Sequence, residues 1–94
     1  MKSKKEKKLV ANPEVILRED FKTLAILFDP DKVKVFTINR VGLAIWKLID
    51  GKHNIREISK KVESKFKDTP KSLGQDIVIF IEDMIRNGLV TIKR

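Results

Sequence analysis

Ninety-four residues make one domain with a single core, and a hydrophobic fraction of 41% belongs to a chain that folds. There is no cysteine, which excludes disulfides, thiolate zinc sites and cysteine nucleophiles together. The longest apolar run, Ile77-Val78-Ile79-Phe80-Ile81, is far short of the roughly 20 residues that cross a bilayer, so no membrane role is expected.

The net charge is +8, and residues 1 to 8 carry half of it, with five Lys and one Glu. Residues 1–11 read as a basic disordered tail and 12–94 as the folded domain. Such an arm can also steer an acidic partner. It has lysines but no apolar stretch behind them, so it is not a signal peptide, and the simplest placement of the protein is cytoplasmic.

Asn12-Pro13 marks the entry to the domain, because proline biases its predecessor to extended geometry. Val15-Ile16-Leu17-Arg18 suits a first strand, Glu19-Asp20-Phe21-Lys22 a turn, and Leu24-Ala25-Ile26-Leu27-Phe28 a second strand. Asp29-Pro30-Asp31-Lys32 is a turn with proline at its second position. Val33-Lys34-Val35-Phe36-Thr37-Ile38 follows as a third, β-branched strand. Three such strands in succession make an antiparallel meander.

The spacing then turns helical. Asn39 caps a helix whose Val41, Ala44, Ile45 and Leu48 recur at i, i+3, i+4 and i+7, and Gly51 reads as its end. Asn54 with Glu57 three residues on opens a second helix with the stripe Ile55, Ile58, Val62 and Phe66. Thr69 and Pro70 start a third, which Gly88 closes after Asn87. Leu89-Val90-Thr91-Ile92 adds a short strand or lies extended on the core. The fold class is α+β: winged-helix-like, a three-stranded antiparallel sheet followed by three helices.

No catalytic constellation emerges. His53 is the sole histidine and falls between helices, without the partner spacing of a metal site. Glu19-Asp20 and Glu82-Asp83 are adjacent carboxylates, and neighbours on a helix point about 100° apart, which suits solvated faces rather than acid–base work. Glycine-rich phosphate loops and the nucleophile elbow are absent from the sequence. The chain is therefore expected not to be an enzyme, and to hold no metal or cofactor. A basic winged helix could instead be a nucleic-acid-binding regulator. Against this, Lys71 to Asn87 carries two bases against three acids, a poor surface for phosphates. The second helix is more basic, but its signs alternate as on a solvated face.

Two features suggest a surface for another chain. The third strand has one charged residue, Lys34, and offers an unpaired backbone row if it lies at an edge. The third helix is apolar beyond one stripe, since Val78 and Ile85 widen its core face and Ile79 lies among polar neighbours. An edge strand beside an apolar helix is what β-strand addition needs, with backbone bonds supplying affinity and alternate side chains specificity. An unoccupied edge can also pair with its own copy as a homodimer.

Leu27-Phe28-Asp29-Pro30, Val35-Phe36-Thr37-Ile38-Asn39, Val41-Gly42-Leu43-Ala44-Ile45-Trp46-Lys47-Leu48-Ile49-Asp50-Gly51 and Asn87-Gly88-Leu89-Val90 together resemble the PqqD-like family. The resemblance spans residues 13 to 92 and rests on the order and distances of these pieces. It implies three strands followed by three helices. It also implies a RiPP recognition element, a non-catalytic peptide chaperone in natural-product biosynthesis. Such a domain binds the leader of a ribosomally made precursor peptide and presents it to a modifying enzyme, often a radical SAM protein. Carried onto this chain, the implied peptide-binding residues are Val33, Lys34, Val35, Phe36, Thr37 and Ile38, with Val78, Ile79, Ile81 and Ile85 on the helix. Phe36 and Ile38 would face inward, and Val35 and Thr37 outward. Which alternate backbone groups face the peptide is left open.

Overall fold

The computed structural model describes residues 6–19, 22–66 and 71–93. Most of the Lys-rich segment, Asp20-Phe21 of the first turn and the Thr69-Pro70 helix start lie outside them. The elements in chain order are β1 (Lys8–Ala11), β2 (Ile16–Arg18), β3 (Leu24–Asp29), β4 (Lys34–Asn39), α1 (Arg40–Lys47), β5 (Asp50–Asn54), α2 (Ile55–Lys65), α3 (Leu73–Arg86) and β6 (Val90–Ile92).

The expected meander is present as an antiparallel sheet in the order β2-β3-β4. Its register sets Leu27 opposite Phe36 and Ala25 opposite Ile38 on one face, and Phe28 opposite Val35 and Ile26 opposite Thr37 on the other. Period-two alternation sends Ala25, Leu27 and Ile38 into the core. The β3–β4 turn is shaped by Asp29, buried at 2% exposure, whose Oδ1 accepts from the backbone N–H of Asp31 at 3.1 Å and of Lys32 at 3.4 Å. A short carboxylate that bonds its own backbone two residues on fixes such a turn.

A second sheet, ordered β5-β1-β6, corrects three expectations. Residues 8–11, read as the end of a disordered tail, form its central strand, with Leu9 wholly buried. Burying that side chain contributes about 2 kcal/mol, which a solvated arm would forgo. Gly51 does not end α1: the helix stops at Lys47, capped by Leu48, and Gly51 sits inside β5 at φ +84°. Residues 51–54, read as an interhelical connection, therefore belong with Asp50 to a strand, and His53 lies in it.

Two helix starts follow the sequence closely. Asn39 Oδ1 accepts from the Gly42 N–H at 2.9 Å. Asn54 and Glu57 form a reciprocal capping box, with both bonds at 2.9 Å. α3 ends at Gly88, φ +78°, where the Gly88 N–H reaches the Ile85 carbonyl and the Leu89 N–H the Met84 carbonyl. These are the paired bonds of a Schellman motif. The core gathers Leu9 and Val90 of the small sheet, Ala25, Leu27 and Ile38 of the meander, and the apolar stripes of all three helices. Phe66, expected in the α2 stripe, is only partly buried at the helix end. Among the described residues no helix is long and apolar enough to cross a membrane.

Candidate functional site

Strand β4 is an edge of the meander, paired to β3 along its length and, among the described residues, to nothing on its other side. Within it Phe36 and Ile38 turn inward, while Val35 is 61% exposed and Thr37 is exposed. Val33, expected to begin the strand, lies in the turn instead. Its φ of 51° is left-handed, which a β-branched residue rarely adopts, and its side chain is 77% exposed.

Beside β4 runs a two-lobed groove closed on its far wall by α3. The first lobe, about 380 Å³, is lined by Thr37, Ile38 and Asn39 of β4, Val41, Gly42 and Ile45 of α1, and Leu73, Asp76, Ile77 and Phe80 of α3. The second, about 390 Å³, is lined by Phe36, Thr37 and Ile38 with Phe80, Asp83, Met84, Asn87 and Leu89. Phe80 and the pair Thr37 and Ile38 are common to both lobes, so the Phe80 ring divides the groove. Its position depends on Gly42, where a Cβ would stand 3.1 Å from Phe80 Cζ and 3.1 Å from Ile38 Cβ. Carbon atoms at rest keep about 3.5–4.0 Å, so only a glycine lets the ring approach α1 this closely.

Of the residues expected at the site, the structure brings Phe36, Thr37 and Ile38 into the groove and leaves the helix set outside it. Ile81 is wholly buried and belongs to the core. Ile85 lines a different depression with Lys7, Gly88, Val90, Thr91 and Ile92. Val78 lies on the same flank as Ile85, and Ile79 is 51% exposed, opposite the core stripe. At 100° per residue the helix flank turned to β4 is Asp76, Phe80, Asp83 and Asn87, at i, i+4, i+7 and i+11. That periodic stripe is present in the sequence, but three of its four members are polar, so surplus apolar residues do not mark it.

The electrostatics are uneven along the groove. Asp83 Oδ1 accepts from Arg86 Nη1 at 2.8 Å. Lys32 Nζ donates to the Asn87 carbonyl at 3.1 Å, at the same end. At the other end Asp76 Oδ2 accepts from the Ser72 hydroxyl at 3.2 Å. Among the described residues no group of three or more His, Cys, Asp or Glu is arranged to hold a metal. His53 lies elsewhere, with Nδ1 2.9 Å from Asp50 Oδ1.

Comparison with solved structures finds the same fold in three complexes. TbiB1 in complex with the TbiA(beta) leader peptide is similar at a TM-score of 0.71 and 16% identity, over 86% of this chain and 93% of that one. A lasso peptide synthetase B1 complexed with its leader peptide gives 0.71 and 15%, over 89% and 98%. A heterocyclase in complex with substrate and cofactor gives 0.64 and 15%, over 94% of this chain but only 11% of that one. No curated protein sequence matches the chain. The family described as Coenzyme PQQ synthesis protein D (PqqD) matches residues 25–90, more than half of the length and all the residues that line the groove, and the chain belongs to it.

Proposed function

We propose that this protein is a non-catalytic recognition element that captures the leader of a ribosomally made precursor peptide on the free edge of β4. It then presents the peptide to a modifying enzyme, of radical SAM type, in the cytoplasm. The observation that carries this reading is the groove itself: an unpaired strand edge with an apolar, helix-walled trough directly beside it. The similar folds include two proteins complexed with leader peptides and a small part of a much larger heterocyclase, which supports a role beside an enzyme.

The magnitudes suit capture and release. Three alternate residues of β4 can offer a donor and an acceptor each, and about six bonds at a net 1 kcal/mol contribute about 6 kcal/mol. One apolar side chain in each lobe adds about 4 kcal/mol in total. Association costs at least about 4 kcal/mol, leaving a dissociation constant on the order of tens of micromolar.

The test is an amide chemical-shift map of the full chain titrated with synthetic leader peptides of ribosomally made precursors, followed by proline at Lys34 and at Val35. Proline deletes one donor and is tolerated at a sheet edge. Adjacent residues aim their N–H groups to opposite sides, so one variant should weaken binding while melting near the parent. Perturbed amides that cluster on α2 and spare Lys34–Asn39 would refute strand addition.

A further inference from the structure

The lobes differ in how their single charged side chains are balanced. Asp83, in the second lobe, already has a guanidinium on it, and Lys32 stands at the same end. Asp76, in the first, is bound only by the neutral Ser72 hydroxyl, and among the described residues no cation pairs with it. The rest of the first lobe is apolar, from Ile38 and Val41 to Ile77 and Phe80, apart from the short polar groups of Thr37 and Asn39. It is therefore an apolar seat with one carboxylate on its rim, in the first turn of α3, that no cationic side chain among the described residues balances.

Resting on the reading that a peptide adds to β4, we infer that the captured segment carries a Lys or Arg two residues from an apolar anchor. The anchor fills the first lobe against Phe80, and the base meets Asp76. The spacing follows from geometry. Asp76 and Phe80 are one helical turn apart, about 6 Å along α3. Residues on the same side of an extended peptide repeat every two positions, about 6.8 Å. An adjacent base would point to the opposite face, and a base four positions away would overshoot.

The inference runs against the chain's overall field. A net charge of +8 draws acidic peptides at long range, so a local preference for a base can come only from the groove. The Ser72 hydroxyl does not compete for the role, because it donates to the carboxylate and leaves its charge in place.

The experiment is selection of random dodecapeptides from a displayed library on the immobilised full chain at about 150 mM salt, where long-range attraction is screened. Selected peptides are then titrated into the labelled protein. The expected result is enrichment of Lys or Arg two positions from Leu, Ile or Phe, with amide shifts along β4. Asp76→Asn, or Gln in place of the peptide's base, should each weaken binding about fivefold, and the two together no further. Glu82→Gln, which removes a carboxylate lining neither lobe, should leave the affinity as it was. Peptides that shift β4 without any basic enrichment, or that bind Asp76→Asn as well as the parent, overturn the inference and leave strand addition standing. Peptides that bind without shifting β4 overturn both.

Discussion

Gly42→Ala tests whether the first lobe is a working seat, because one methyl group alters the groove while leaving β4's backbone edge intact. The new Cβ would sit 3.1 Å from both Ile38 Cβ and Phe80 Cζ, several tenths of an ångström inside ordinary contact. Ile38 cannot yield easily, since its Cβ is tied to the β4 backbone in the core. The Phe80 ring tip borders open space and can swing into the lobe. Stability should change little. Alanine in place of glycine within a helix gains up to about 1 kcal/mol, and the crowding costs about the same. Binding should change more. Losing half the burial of one apolar leader side chain, about 1 kcal/mol, raises the dissociation constant about fivefold. Calorimetry with the leader peptide measures the affinity, and the Phe80 ring resonances report the displacement. A displaced ring with unchanged affinity would refute the reasoning, because the peptide would then not be using the space between α1 and Phe80.

Further outcomes follow from the same geometry. Ile79→Asp, half exposed and outside the groove, should leave leader affinity and melting temperature near the parent, whereas Phe80→Ala should weaken binding at least tenfold; titration of both variants checks this. Asp50 is pulled two ways: burial raises its carboxyl, but the His53 hydrogen bond and the Lys52 backbone N–H outweigh it and hold it below the ordinary 3.8. A depressed folded value means stability that is present above 3.8 and lost as pH falls through the folded value. Asp50→Asn should accordingly melt below the parent at pH 7 and converge with it near pH 2. Duplex DNA binding should be weak, indifferent to sequence and abolished by moderate salt, as a gel-shift titration would show. Salt-resistant, site-specific shifts would favour a regulator instead.

The parts of the fold that the sequence discloses are those whose signals are local. The β3–β4 turn, the Asn39 cap, the Asn54–Glu57 box and the Gly88 terminus each depend on residues within a few positions of one another. β1 and β5 are not legible in the sequence because their stability is not local. Lys8-Leu9-Val10-Ala11 continues a lysine run, and Asp50-Gly51-Lys52-His53-Asn54 holds no apolar side chain at all. Each is a strand because the other is there, with Lys8 opposite Asn54 and Val10 opposite Asp50. The site divides in the same way. That Phe36 and Ile38 face inward follows from alternation along one strand. Which flank of α3 meets that strand depends on how α1 and the sheet orient the helix, and no count of apolar residues along α3 contains that information. In the sequence Phe80 is one member of the apolar run 77–81, and its place at the centre of the groove rests on Gly42, 38 positions earlier.

The pairing of β1 with β6 has a topological consequence. These strands are antiparallel neighbours, Leu9 faces Ile92, and the Lys93 N–H donates to the Lys8 carbonyl at 2.7 Å. The polypeptide therefore enters and leaves the domain at one spot, like the two legs of a staple. That spot lies near the Ile85 flank of α3, away from the Phe80 flank that borders the groove. A unit wired in this way can be spliced into a surface loop of another protein, or permuted by joining its ends and cutting elsewhere, without stretching either sheet or obstructing the trough. Grafting it as a cassette onto an unrelated enzyme would need only a linker at each leg, and the strand edge would remain open to an extended segment from either chain.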